Sequence, residues 1–394
     1  MLVTYILGKC PGCGTEEAFG NVEVHSTYVL RGCKKCRYRQ HIPLPPIRKA
    51  VLYLDQFFFS HAFRGGEPRF LKAAHRIKRA TALQLLTVPY SSVHEDETHQ
   101  WEQRDELFKF VKATSRGQEF EPAYDVDKTQ LLKAFQAWRK GAASLYALEA
   151  GDALPRDLHD WDSYLRIEVG KYMGDIELIR DLKAQSAKWL VDQLDGWRKS
   201  TTSFEENLKA EFAVAAKMYF DAYLKYMVRV GSGDFAALLD SPIVSQVVQA
   251  MLLRLPKDAP PLENLKTCAQ FFASDHFRQT PYQNLSARMF ATLKEMVKAG
   301  AYTNKTKALQ KLAGVAYDVK HIATYAPYCD GFVMDQPMAQ LISHPRIALQ
   351  NNYNVKVFSL NNWDELFKWL DELEAGMSEE HRAGLKAAYP HHRT

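Results

Sequence analysis

Polar and apolar residues alternate in "NVEVHSTYVLRG" (21–32), and this period of two predicts strands joined by turns. The prolines of "IPLPPIRK" (42–49) exclude a helix and predict a stiff linker. In "AVLYLDQFFFSHAF" an unbroken apolar run, 50–54, stops at Asp55, as in a parallel-sheet strand buried on both faces. A basic helix is expected over 68–86. A second strand follows, from about Leu83 to Pro89, and then one long helix, 93–113, capped by Ser91 or Ser92. From about 120 to 300 apolar residues recur every three or four positions, most clearly in 163–197 and 204–230, so the block reads as helical. The last section alternates again: a helix over 304–326, a strand "DGFVMD", a short helix "MAQLIS", a strand "YNVKVFSL" and a closing helix "NWDELFKWLDELEAG". Strands alternating with helices predict an α/β fold with a parallel sheet, split in sequence by the helical block.

The boundaries that follow are 1–45, a small N-terminal unit; 46–119, the first part of an α/β core; 120–299, a helical insertion; and 300–394, the second part of the core with a C-terminal helix. Among 394 residues the formal net charge is +5, which permits a polyanionic partner without requiring one. No apolar stretch is long enough to span a bilayer, and the start lacks a signal-peptide pattern. The expected setting is cytoplasmic, with no membrane partner. The tryptophans of the helical block, Trp138, Trp161, Trp189 and Trp197, are expected in its core.

Four of the six cysteines form two Cys-x-x-Cys pairs, Cys10/Cys13 and Cys33/Cys36, nineteen residues apart. Each pair presents two thiolates from one turn, and two turns complete a tetrahedral zinc site. Four thiolates leave no open position, so this Zn²⁺ is expected to be structural in a zinc ribbon too small to fold on its own core. Arg31, Lys34, Lys35, Arg37 and Arg39 crowd the second pair, with Tyr38 among them. That patch suits nucleic acid, and equally well a solvated face.

The acidic residues carry the second candidate chemistry. Asp55 ends the first core strand, Glu97 lies in the helix after "LLTVPYSS", Asp318 lies on "AGVAYDVKHIA", and Asp335 ends "GFVMD". Ligands of open α/β sheets bind at the carboxyl ends of strands. Carboxylates gathered there repel one another until cations neutralise them, and hard oxygen ligands select Mg²⁺ or Mn²⁺. Asp330 is a further metal candidate. His321 and His94 each lie three residues from one of these acids; with Ser91 they are additional candidates, and a satisfied structural role suits the histidines at least as well.

The order of these residues resembles that of PIN-domain nucleases: an Asp closing the first strand (Asp55), a Glu six residues after a Ser that follows the second strand (Glu97 and Ser91), an Asp on a later helix (Asp318) and an Asp closing the next strand (Asp335). The segment "DVKHIATYAPYCDGFVMD" is similar to bacterial PIN-like proteins. The resemblance covers 50–115 and 300–375. It implies a three-layer sandwich with a parallel central sheet, here with a large helical insertion and a small N-terminal zinc ribbon. It also implies metal-dependent endonucleolytic hydrolysis of phosphodiester bonds, in RNA more than DNA, by a two-metal site on Asp55, Glu97, Asp318 and Asp335. Two positions depart from the pattern. Val333 stands where the family often has Ser or Thr, and Gln56 where Asn or Thr commonly follows the first Asp. The alternative is a module that binds nucleic acid or protein, through the ribbon or the insertion, on a degenerate nuclease core.

Overall fold

A computed structural model of the chain describes residues 2–154, 159–164, 176–238, 244–312 and 314–391. The N-terminal unit is an antiparallel meander of β1 (Tyr5–Gly8), β2 (Phe19–Val24), β3 (Tyr28–Cys33) and β4 (Arg39–Pro43), paired in that order. The register Phe19↔Cys33 sets the second cysteine turn beside the start of β2. A Cβ at Gly20 would lie 1.8 Å from the Tyr5 carbonyl, so β1 can approach β2 this closely only over a glycine.

The proline-rich segment after β4 is no free linker. Leu44 and Ile47 are buried with Val24 and Val29 of the meander, Trp161, and Leu385 and Tyr389 near the C-terminus. The Asn21 side-chain amide donates to the Ala387 carbonyl at 2.7 Å, tying the meander to the helix Glu379–Ala388.

The second sheet is wholly parallel, in the order β6 (Leu86–Thr87), β5 (Ala50–Leu54), β7 (Gly331–Val333), β8 (Lys356–Phe358). Its apolar strands serve two cores because successive side chains point to opposite faces. Val51, Tyr53, Phe332 and Val357 face one cluster; Leu52, Leu54, Val333 and Phe358 face the other. Helices Pro68–Ala82, Arg104–Ser115 and Trp363–Ala375 cover the second face. Helices Pro281–Lys298, Val315–Tyr325 and Gln336–Ile342 cover the first. Tyr53 stacks on Phe332 at 4.5 Å and is 1% exposed. Burial of side chains of this kind contributes about 1.5–3 kcal/mol each.

Among the described residues no strand lies between 120 and 299. That segment nevertheless enters the sheet's own core, because Val126, Leu190, Leu194, Leu285, Met289, Leu293 and Val297 are buried in the first-face cluster. The core therefore runs across the 299/300 boundary. A separate cluster, with Leu131, Phe135, Phe212, Tyr219, Val248, Phe271 and Phe277, forms the outer helical lobe.

The sequence reading needs local corrections. The expected helix over 93–113 is two, Ser92–Thr98 and Arg104–Ser115, with a turn between them. The helix over 304–326 is likewise two, Lys305–Leu312 and Val315–Tyr325, parted at Gly314. The strand from about 83 to 89 shrinks to Leu86–Thr87, since Pro89 lacks the N–H a ladder needs. The helix Ile176–Lys199 includes most of the residues expected from 163–197, whose earlier part falls largely outside the described residues. Trp161 is buried, but Trp189 is 58% exposed, on the outer face of that helix. No helix among the described residues is long and apolar enough to cross a membrane.

Candidate functional site

Strand order reverses between β5 and β7: β5 leads on to β6 on one side, while β7 leads on to β8 on the other. A crevice at the carboxyl ends of the strands is expected at such a switch point. Asp55 follows β5 directly, and Asp335 stands two residues beyond β7. Each caps the helix that follows. Asp55 Oδ1 accepts the Gln56 N–H at 2.7 Å, and Asp335 Oδ1 accepts the Met338 N–H at 2.9 Å. Capping explains why an Asp suits either position, and it engages one oxygen of each carboxyl group.

Two more acids join them. Glu97 comes from the helix Ser92–Thr98 and Asp318 from Val315–Tyr325. The four interact electrostatically. Asp55 is pushed up to about 8 by burial, then by Glu97 and Asp335. Asp318 is held well above the usual carboxylate range by burial, then by Asp55, Glu97 and Asp335. Asp335 is raised by burial. Among the described residues the Asp318 carboxyl group has no hydrogen bond and no ion pair, and it is partly buried.

One cation is already present, and sequence reasoning missed it. Lys183, on the helix Ile176–Lys199, places Nζ 2.7 Å from Glu97 Oε1 and 4.8 Å from the centre of the Tyr317 ring. Its charge lowers Asp55 and Asp318 against the larger upward effects. Three residues earlier, Arg180 donates to the Gln100 carbonyl at 2.7 Å, so two contacts hold this helix over the acidic edge. Nothing in the local pattern marks Lys183, because its neighbours in space are distant in sequence.

Asp330 does not belong to the site. It precedes β7, at the opposite end of the sheet from Asp335, and Oδ2 accepts the Val51 N–H at 2.8 Å. Parallel strands place their amino ends together, so an Asp at the start of the strand lies away from one at its finish. Asp330→Asn is expected to cost about 1–2 kcal/mol through the weakened bond to Val51 and to leave divalent-cation binding unchanged. A denaturant titration with a Mn²⁺ titration beside it checks both.

His94 and Ser91 are placed otherwise, and His321 is buried beside the edge. His94 is 1% exposed; Nδ1 accepts the Ser91 N–H at 2.9 Å and Nε2 donates to the Leu54 carbonyl at 2.7 Å. Burial lowers its pKa to about 4, so the ring is neutral and both nitrogens are engaged, leaving none for a metal. It positions the end of β5 just before Asp55. Ser91 Oγ bonds with the Tyr53 hydroxyl at 3.0 Å, in the core. His321 is 3% exposed and held well below its ordinary pKa, first by burial; its Nε2 has no hydrogen-bond partner among the described residues.

The cysteines form a second, closed site. Sγ of Cys10 lies 3.7 Å from that of Cys36, and Sγ of Cys13 lies 3.8 Å from that of Cys33. A tetrahedron with Zn–S bonds of about 2.3 Å has edges of about 3.8 Å. The Gly12 N–H donates to Cys10 Sγ and the Lys35 N–H to Cys33 Sγ, both at 3.3 Å, which favours thiolate. Cys13 is lowered to about 6, chiefly by its bonds with Thr15, whereas Cys36, beside the other three thiols, is raised to about 12. These four side chains could bind a metal such as zinc. Among the described residues they are the one set of three or more Cys, His, Asp or Glu whose ligand atoms all lie within 4.8 Å of each other. Asp55, Glu97, Asp318 and Asp335 do not form such a set among the described residues.

Around the ribbon, Lys34, Lys35, Arg37 and Arg39 are exposed. Arg31 and Tyr38 are half-buried and make contacts within the ribbon. Arg31 Nε donates to Asn21 Oδ1 at 2.9 Å, steadying the amide that anchors the C-terminal helix. Tyr38 covers the first cysteine turn so closely that a Cβ on Gly12 would meet it at 2.9 Å.

Compared with protein-family models, curated proteins and solved structures, the chain matches none of them.

Proposed function

We propose that the acidic edge binds Mg²⁺ or Mn²⁺ and hydrolyses phosphodiester bonds endonucleolytically, on a PIN-like three-layer core. The observation that carries the reading is Asp318: a partly buried carboxyl group, drawn among three other acids, with no donor of its own among the described residues. A charged group so placed is costly unless a cation compensates it. Bound divalent ions supply an activated water and charge neutralisation at the leaving oxygen. Asp55 and Asp335 each keep one oxygen outside the capping bond, and Asp318 keeps two; these would hold the ions. Glu97 would exchange Lys183 for an ion or its water. The preference for RNA over DNA rests on the PIN resemblance alone. The cysteine site takes a structural zinc and fixes the ribbon, whose exposed lysines and arginines offer a further surface to nucleic acid.

The test is cleavage of end-labelled single-stranded RNA and DNA by zinc-loaded protein with Mg²⁺ or Mn²⁺. Internal cuts that require the ion, faster in RNA, are expected. Intact substrates under every condition would overturn the reading. Two features favour the second one, a module that binds without cutting: the Lys183 ammonium already neutralises Glu97, and Val333 replaces the family's hydroxyl. Binding of RNA by a protein that never cuts it would select that alternative.

A further inference from the structure

The turn that carries Asp335 opens on a groove. A cleft of about 560 Å³ runs from Gln336 and Pro337, the residues after Asp335, to the helix Lys305–Leu312. Its polar lining includes Tyr302, Asn304, Lys307, Lys311, Gln336 and Gln340, with no carboxylate among the lining residues. Lys307 and Lys311 are exposed and four positions apart on one helix, so they share a face, one turn of about 6 Å from each other. Among the described residues neither is ion-paired. This distinguishes them from Lys305, which pairs with Asp195. Tyr302 forms the wall next to Asp335: its phenol is raised by burial and then by that carboxylate. Its backbone is in the left-handed region at φ 60°, and Arg198 donates to its carbonyl.

The groove is thus a cationic, amide-lined channel that ends at the acidic edge. A cavity of that size takes a fragment of roughly one or two nucleotides, and not a duplex. We propose that it holds the backbone of a single strand of nucleic acid, with Lys307 and Lys311 on successive phosphates and the Gln336 and Gln340 amides on sugar or base. The adjoining phosphodiester then lies at Asp335. This rests on the nucleic-acid part of the reading above, and not on cleavage. Charge complementarity selects the occupant: two unpaired ammonium groups side by side favour a polyanion, and spacing along one helix face favours a linear one.

The experiment is fluorescence anisotropy of short labelled single strands, RNA in one arm and DNA in the other. It uses zinc-loaded Asp55→Asn protein without Mg²⁺ or Mn²⁺, over a range of salt concentrations. Lys307→Gln with Lys311→Gln is compared with Lys34→Gln plus Lys35→Gln on the ribbon. The groove variant is expected to bind about tenfold more weakly at low salt. Its slope of log K against log salt should be shallower by about 1.4, since each phosphate contact on a single strand contributes about 0.7. Both lysines are exposed, so a thermal melt should match the parent protein. An unchanged slope and affinity in the groove variant would overturn the proposal, as would a loss confined to the ribbon variant or a parent that binds neither strand. Loss of binding in the groove variant, beside a wild-type protein that cuts nothing, would uphold the groove and overturn only the cleavage reading.

Discussion

Asp55→Asn is expected to abolish ion-dependent cleavage, by at least about 10²–10³-fold, while making the metal-free protein more stable. The substitution keeps the shape, and Asn can still cap the helix Gln56–Ser60. What is lost is a charge that attracts cations and repels Glu97 and Asp335. The sign of the pH dependence follows. The folded-state value near 8 is above the ordinary 3.8, so folding takes up a proton between those values. That contribution is complete below about pH 4 and is lost as pH rises through 8. The stability gained by Asp55→Asn should therefore be smallest near pH 4 and grow to about pH 8. Its size is about 2 kcal/mol, well below the full shift because the edge is partly open to solvent. Melts at pH 5 and pH 8 without divalent ions measure it. Added Mn²⁺ should raise the wild-type midpoint at pH 8 and leave the variant unmoved. Cleavage by Asp55→Asn at the wild-type rate would separate the acidic edge from catalysis.

Much of this site was legible because its parts are local. "VLYLD" and "GFVMD" each pair an apolar run with a terminal Asp, and parallel topology sends both carboxyl ends to one edge. The same logic, applied with strand direction, would have set Asp330 aside, since it precedes its strand. His94 shows the limit of helical spacing. Proximity at three residues is real, but His94 spends both nitrogens on backbone groups that only the folded chain supplies. Lys183 was invisible for a stronger reason. It comes from a helix about eighty residues beyond Glu97, and a period of 3.6 tells which face is apolar, not what that face meets. The missed breaks near Gln100 and Gly314 show the same limit, as amphipathic spacing persists across a short turn. The ribbon's cysteines were legible because spacing within each pair sets the geometry of its turn. Its docking was not: Asn21 and the C-terminal helix are joined across almost the whole chain.

Cys33→Ser is expected to release zinc and unfold the meander of β1 to β4. The ribbon has little else to hold it: its own buried cluster is Cys10, Ala18, Phe19 and Cys33, two of them cysteines of the candidate metal site. A structural zinc site contributes about 10–16 kcal/mol of apparent binding free energy at neutral pH, far more than burial of Ala18 and Phe19 supplies. Ser offers no thiolate, and the Lys35 N–H loses its sulfur acceptor. The damage should not stop at β4. Val24 and Val29 pack with Leu385 and Tyr389, and Asn21 binds the Ala387 carbonyl, so the helix Glu379–Ala388 loses its cover. Hydrogen exchange should therefore accelerate in β1 to β4 and in that helix together, while β5 and β7 stay protected. Chelation of the wild-type protein should do the same and be reversed by added Zn²⁺. Elemental analysis should find one zinc per wild-type chain and none in Cys33→Ser. Wild-type protein prepared without chelator, carrying no zinc and four free thiols, would refute the site. Slow exchange in β1 to β4 after zinc removal would show instead that packing against the C-terminal helix suffices to fold the ribbon.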